Sequence, residues 1–286
     1  MIFSKLRKRS VAAVVASAVV ISLVAGATPA FALSGTLKVG GSTTVQPLAQ
    51  LLANKFHAAN PAVTVTVAGG GSGIGISGAL DGTWNIGMSS NVLSADNISS
   101  GLVGTTMAKD ALSFVVNPKQ KVKALTIAQL KRIWTGQITN WHQIGGVNHK
   151  IVVCGRAAGS GTGDFVNKSV FGDPDGKAPW TGSTSPTLVT TLKVYNSNGD
   201  LRNAVAADKY SIGYVGMAYA TSKVRALKVN GSLPTRANAK AGKYPLVRYL
   251  WWVTKGAPAG LSKSFIDYSL SSKGQAYVNQ LYMSLK

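Results

Sequence analysis

The sequence predicts an α/β fold. Two observations carry that expectation. Short runs rich in β-branched residues alternate along the chain with segments whose apolar residues recur at helical spacing, an order that implies strands and helices packed in layers. At 286 residues the chain is long enough to bury a large core and to build two lobes. It shows no internal repeat and no coiled-coil heptads.

The elements follow in order. Residues 37–39 read as a short strand. Thr44 is placed to cap the next helix, which has Pro47 in its first turn and Val45, Leu48, Leu51, Leu52 and Phe56 on one face; Asn60-Pro61 ends it. Residues 63–67 alternate valine and threonine, as a half-buried strand does. A glycine-rich turn then leads into a short helix reaching about Leu80. A strand at 112–116 stops at Asn117-Pro118, and Thr126 caps a helix carrying Ile127, Leu130, Ile133 and Trp134. Further strands are expected at 151–154, 192–195, 212–215 and 246–253, and helices at 164–171, 200–207, 262–270 and 275–281. Residues 172–190, rich in Gly, Pro, Ser and Thr, read as a surface loop.

The first 32 residues stand apart. Lys5, Arg7, Lys8 and Arg9 precede an apolar run at 11–27, and Ala30-Phe31-Ala32 supplies the small residues of a cleavage site, so this segment reads as an export signal cut after Ala32. The alternative is an uncleaved anchor, for which the run is short. No cysteine lies near the cut, which excludes lipid attachment there. Cys154 is the lone cysteine, so no intrachain disulfide can form; within Ile151-Val152-Val153-Cys154 it reads as a small buried hydrophobe.

The formal charge is +21, and the four basic residues of the leader leave +17 on the mature chain. The imbalance comes from missing carboxylates: all nine acidic residues are aspartate, and glutamate is absent. Past the leader, lysine and arginine are scattered rather than clustered in runs as in nucleic-acid binders. Acid unfolding works largely by protonating carboxylates, so a chain this poor in them is expected to keep its fold in an acidic medium. The positive field also favours anionic ligands.

Four segments join hydroxyls to glycine-flanked amides: Gly40-Gly41-Ser42-Thr43-Thr44, Gly69-Gly70-Gly71-Ser72-Gly73, Ile86-Gly87-Met88-Ser89-Ser90 and Arg156-Ala157-Ala158-Gly159-Ser160-Gly161-Thr162. A helix N-terminus offers unpaired N–H groups and a partial positive charge, so such segments suit an anion. Arg156, just past a strand, offers a planar fork to two oxygens of a tetrahedral ion, and Ser160 and Thr162 can present hydroxyls to the same ion. Gly73-x-Gly75-x-x-Gly78 formally fits a dinucleotide fingerprint, but Asp96 does not end a second apolar strand, so close backbone approach to a ligand is the better use of these glycines. Catalytic patterns are weak. Zinc-protease signatures need glutamate, His57, His142 and His149 flank no glycine-framed serine, and neither a Gly-x-Ser-x-Gly elbow nor a Walker loop occurs. Trp251 and Trp252, within a strand, read as core and edge packing.

In order and spacing these motifs resemble the substrate-binding proteins of phosphate ABC transporters, over residues 37–286. Gly41-Ser42-Thr43-Thr44-Val45-x-Pro47 is similar to that family's opening motif; Gly71-Ser72-Gly73 and Ile86-Gly87-Met88-Ser89-Ser90 resemble its second and third loops. Gln129-Leu130-x-x-Ile133-Trp134-Thr135-Gly136-x-Ile138-Thr139-Asn140-Trp141, Asn198-Gly199-Asp200, Ile212-Gly213-Tyr214-Val215-Gly216 and Tyr244-Pro245-Leu246-x-Arg248 are similar to further segments. The resemblance implies a type II periplasmic-binding fold with two α/β lobes joined by two hinge crossovers: 33–116 with 217–286 as one lobe, and 117–216 as the other. It implies phosphate held by Thr43, Thr44, Ser72 and Ser90 from one lobe and Arg156, Ser160, Gly161 and Thr162 from the other. No metal or cofactor is expected, and the partners implied are inorganic phosphate and membrane permease subunits, with the receptor exported, monomeric and free of nucleic acid.

Two departures from the family stand out. Many relatives carry aspartate where this chain has Ser90, or arginine where it has Asn91, and relatives often carry an acidic residue near Ala158. The site is therefore expected to lack carboxylates. A carboxylate rejects fully deprotonated oxyanions because it cannot donate, so discrimination between phosphate and sulfate is open. A secreted phosphatase of similar fold, a receptor for sulfate, molybdate or arsenate, and a matrix protein that uses its positive surface are the alternative functions.

Overall fold

A computed structural model describes residues 33–171 and 188–285; the expected leader and most of the expected loop at 172–190 lie outside the described residues. Two five-stranded sheets organise the chain. In the first, β1 (Gly35–Gly41) runs parallel to β2 (Val63–Gly70) and β3 (Ile86–Ser89), while β12 (Val247–Lys255) lies antiparallel between β3 and β4 (Leu102–Ala111), in the order β2-β1-β3-β12-β4. In the second, β5 (Ser113–Val116), β7 (Val152–Arg156), β8 (Lys193–Tyr195), β9 (Ser211–Val215) and β10 (Arg225–Ala226) take the order β10-β5-β9-β7-β8. A small parallel pair joins β6 (Ala124–Leu125) to β11 (Lys228–Val229).

Each sheet carries its own core. On the first, α1 (Gln46–Ala59) buries Leu48, Leu52 and Phe56, and Phe56 meets Phe265 of α8 (Gly260–Leu270) edge-on at 5.4 Å between ring centroids. Trp252 is buried beneath them, and its indole N–H reaches the Ser269 hydroxyl, while Trp251 is only partly covered, as the strand pattern predicts. On the second, Phe114, Trp134 of α4 (Ile127–Trp134) and Tyr214 form an aromatic cluster with centroids 5.4–5.9 Å apart. Thr126 caps α4 as expected, in a reciprocal box with Gln129. Cys154 is fully buried, and burial pushes its thiol pKa up.

The chain changes sheets at two adjacent points. Leu112 is the sole residue between β4 and β5, and the return passes through Leu246 into β12. The Leu112 N–H donates to the Leu246 carbonyl at 2.9 Å, and the Tyr244 hydroxyl donates to the Leu112 carbonyl. The expected boundaries at 116 and 217 therefore miss the crossings. Residues 113–116 pair in the second sheet, and Leu227, Val229, Tyr244 and Leu246 pack in the second core. Beyond β9 the chain turns back through β10 and β11 before it crosses again.

Other departures are local. Thr44 does not cap α1, whose N-cap is Val45 without a side-chain bond. The fifth helix, α5, begins at Gly161 rather than 164 and runs Gly161–Val170. The ten-residue β4 carries no clean strand signal, because Gly104, Thr105, Thr106, Lys109 and Asp110 break its apolar pattern; a nine-pair ladder with β12 holds it. Among the described residues no helix is long and apolar enough to cross a membrane.

Candidate functional site: a buried, arginine-centred hydroxyl cluster

All eight residues singled out from the sequence converge at the ends of strands. Thr43 and Thr44 follow β1. Ser72 opens α2 (Ser72–Asp81) just after β2, and Ser90 follows β3. Arg156 ends β7, Ser160 is the N-cap of α5, and Gly161 and Thr162 are its first residues. Ligands in open α/β sheets bind beyond the carboxyl ends of the strands, and every one of these residues is buried there.

Close approach of backbone makes the cluster. Gly41, at φ +128°, has a left-handed conformation, and a Cβ on it would lie 2.4 Å from the Gly75 Cα. A Cβ on Gly75 would lie 2.3 Å from the Met88 carbonyl oxygen. Gly75 and Gly78 thus let α2 settle on β1, β3 and the Trp84 ring, and they approach protein rather than ligand, which corrects the expected use of that glycine run. Gly73 alone faces the other lobe, its N–H donating to the Gly159 carbonyl at 3.0 Å. A Cβ on Gly161 would come within 2.3 Å of the Ser72 hydroxyl and 2.9 Å of that of Ser90.

Arg156 is 1% exposed. Its Nε donates to the Tyr195 carbonyl at 3.1 Å, and Nη2 donates to the Asn196 carbonyl at 2.9 Å and to Thr43 Oγ1 at 3.2 Å. Nη1 is buried and has no protein partner. Arg156 forms no ion pair; the pairs among the described residues are Arg248–Asp110 and Lys263–Asp267. Burial, with the Arg248 charge adding to it, lowers the Arg156 pKa from the ordinary guanidinium range to about 10. Such a depression corresponds to about 3 kcal/mol against the ionised form. An anion at Nη1 would offset it.

The hydroxyls are tied to one another and to the frame. Thr44 Oγ1 and Thr162 Oγ1, from opposite lobes, lie 2.7 Å apart. Ser72 Oγ accepts from the Ser90 N–H at 3.0 Å and lies 3.3 Å from Ser90 Oγ. Ser160 Oγ accepts from the Gly163 N–H at 3.1 Å. Ser42, Thr43 and Thr44 are held in a turn that starts where the Ser42 N–H donates to the Met88 carbonyl.

Three residues not chosen from the sequence complete the cluster. Asn198, first residue of α6 (Asn198–Ala207), donates through Nδ2 to Thr43 Oγ1 and Thr44 Oγ1, each at 3.0 Å. Arg248 on β12 pairs with Asp110 on β4 at 2.9 Å, with side chains 4% and 0% exposed. Its Nη2 also donates to Thr44 Oγ1 at 3.2 Å and Thr162 Oγ1 at 3.1 Å, and its Nη1 to the Gly161 carbonyl at 3.1 Å. Asn198 and Arg248 stand in segments similar to the receptor family, which is the signal that pointed toward them. The site is therefore not free of carboxylates: Asp110 is inside it, with its oxygens taken by Arg248 and the Met217 N–H, and Asp164 on α5 borders it, accepting from Asn91 Nδ2 at 3.3 Å. Among the described residues, no cluster of histidine, cysteine and acidic side chains is placed to hold a metal ion.

Residues 26–273 match the family described as the PBP superfamily domain. The chain is 35% identical over 240 residues to the phosphate-binding protein PstS of Bacillus subtilis (strain 168), spanning 82% of this chain and 75% of that one. It is 31% identical over 249 residues to the phosphate-binding protein PstS of Borreliella burgdorferi, spanning 85% and 88% respectively. Among solved structures, a Clostridium perfringens protein described as a phosphate ABC transporter substrate-binding protein with bound phosphate superposes with a TM-score of 0.81 at 31% identity, over 88% of this chain and 100% of that one. The strand order, the paired crossings and these matches agree with the type II fold expected from the motifs, and the chain belongs to the PBP superfamily and, within it, to the PstS phosphate-binding proteins.

Proposed function

We propose that this protein is an exported receptor that binds inorganic phosphate and delivers it to the permease subunits of an ABC transporter. The observation that carries this reading is the buried Arg156 guanidinium, which lacks a counter-ion and leaves Nη1 without a protein partner. Thr43, Thr44, Ser72, Ser90, Ser160, Gly161 and Thr162 form the rest of the shell, and Arg156 supplies its uncompensated charge. The relatives named for phosphate binding, and the one described with phosphate bound, support phosphate as the ligand.

The reaction is binding and release, with no bond made or broken. A nucleophilic hydroxyl needs an adjacent base, and among the described residues no histidine or carboxylate bonds to a hydroxyl of the shell. The two lobes supply the shell jointly, so ligand favours the closed arrangement, and the paired crossings at Leu112 and Leu246 are the hinge. The receptor acts as a monomer, after removal of the leader at 1–32, outside the cytoplasmic membrane.

Calorimetric titration with phosphate tests this. Arg156→Ala removes the charge and its fork, with an expected loss of roughly 2–4 kcal/mol of binding, as for truncation of one member of a buried charged pair. Equal phosphate affinity in that variant would overturn the assignment. Parallel titration with sulfate ranks the two ions.

A further inference from the structure

We propose that Arg248 is a positioning residue of this site: its fork fixes the N-terminal end of α5 against the first sheet and sets the Thr162 hydroxyl as a donor toward the anion. The inference rests on the phosphate reading above.

Hydroxyl bookkeeping gives the direction. A threonine hydroxyl has one hydrogen and two lone pairs. Thr44 Oγ1 faces Asn198 Nδ2 and Arg248 Nη2, groups that can only donate; one Nη2 hydrogen lies on Asp110 Oδ2, and the other is shared between Thr44 Oγ1 and Thr162 Oγ1. Thr44 thus faces two donor groups and Thr162 only the shared Arg248 hydrogen, so in the 2.7 Å contact between them the geometry assigns the hydrogen to Thr44. Thr162 Oγ1 then accepts from Thr44 and from Arg248 Nη2, and its own hydrogen is left to point elsewhere. Without the Arg248 fork the Thr44–Thr162 pair can reverse, and the shell loses a fixed donor.

Position adds a second function. Arg248 faces Asp110 across the β12–β4 ladder, one residue beyond the Val247–Ala111 pair that adjoins the crossings. From that fixed root it reaches the other lobe at the Gly161 carbonyl and Thr162, while the Phe165 ring lies 5.3 Å from the guanidinium carbon. Its charge is matched by Asp110. Arg248 therefore contributes geometry, and Arg156 contributes net charge.

That division is testable because lysine keeps the charge and loses the fork. Arg248→Lys is expected to weaken phosphate binding at least tenfold by calorimetry. In a Thr162→Val background, where the hydroxyl it orients is gone, the same change is expected to cost less than about threefold; such non-additivity marks residues acting through one another. A merely structural role would lower the melting temperature yet give the same fold-loss in both backgrounds, and that result overturns the proposal, as does full affinity in Arg248→Lys. If Arg248→Lys does not fold, the double change Asp110→Asn with Arg248→Gln removes both buried charges together and leaves no unpaired ion; the same tenfold loss is expected, and retained affinity overturns the proposal. Failure of the unaltered protein to bind phosphate would instead refute the receptor reading itself, before any variant is compared.

Discussion

Ser160 shows how one side chain serves both stability and binding. Its Oγ accepts from the Gly163 N–H and so caps α5, while the residue also stands beside Gly161 and Thr162 in the shell. Ser160→Ala is expected to lower stability by about 1 kcal/mol, the usual cost of losing such a cap, and to weaken phosphate binding as well. Urea unfolding and calorimetry on the same sample separate the two effects; a variant with the parent midpoint would refute the capping role. The hydroxyl residues were legible because each sits in a glycine-framed segment next to an element boundary. Asp110 was not, because it is a single polar residue within a long strand, and sequence alone does not say that this strand pairs with β12 in the register that sets it against Arg248. Thr44 is favoured as a cap by its place before a helix with proline in the first turn. Its hydroxyl instead has three partners in the cluster, and these outweigh the single local bond a cap would supply.

At the scale of elements, alternation of period-2 and period-3.6 segments revealed the strands and helices that bury a clean apolar face. It failed at β4, whose residues are half polar because the strand reaches the site at Asp110 and is held by its ladder with β12. It also failed at the second crossing, since β10 and β11 are two residues each and carry no periodic signal. The contact between α2 and β3 is the element pair on which the shell most depends, because it places Ser72 against Ser90. Gly75→Ala would put a Cβ 2.3 Å from the Met88 carbonyl, a backbone atom that cannot swing away. Overpacking of this kind costs about 1–3 kcal/mol. The expected outcome is a lower urea midpoint together with weaker phosphate binding, because α2 must move off β3 and carry Ser72 with it. A midpoint equal to that of the parent would show that the sheet yields at no cost.

For the whole molecule, the unusual quantity is the scarcity of carboxylates: nine aspartates and no glutamate against thirty lysines and arginines. Stability changes with pH according to the difference in protons bound by the unfolded and folded states, so few carboxylates limit how much stability acid can remove. The individual groups have opposite signs. Asp81 is fully exposed, and its bonds to Thr83 lower its pKa, so its small contribution fades as pH falls through that lowered value. Asp164 is the reverse. Desolvation on α5 raises its pKa, against the opposing pull of Arg248, Arg156 and the Asn91 amide. A carboxyl whose folded pKa lies above its unfolded value stabilises the fold fully below the unfolded value, and that contribution is lost as pH rises through the folded one. At neutral pH the ionised Asp164 is therefore a cost, which acid removes. Two outcomes follow: the protein keeps a cooperative melting transition near pH 3, and Asp164→Asn, which retains an oxygen to accept from Asn91, melts higher than the parent at pH 7 with the gap closing by pH 3. Scanning calorimetry across that range checks both. Unfolding of the parent near pH 5 would refute the first, and a gap that widens as the solution is acidified would refute the sign assigned to Asp164.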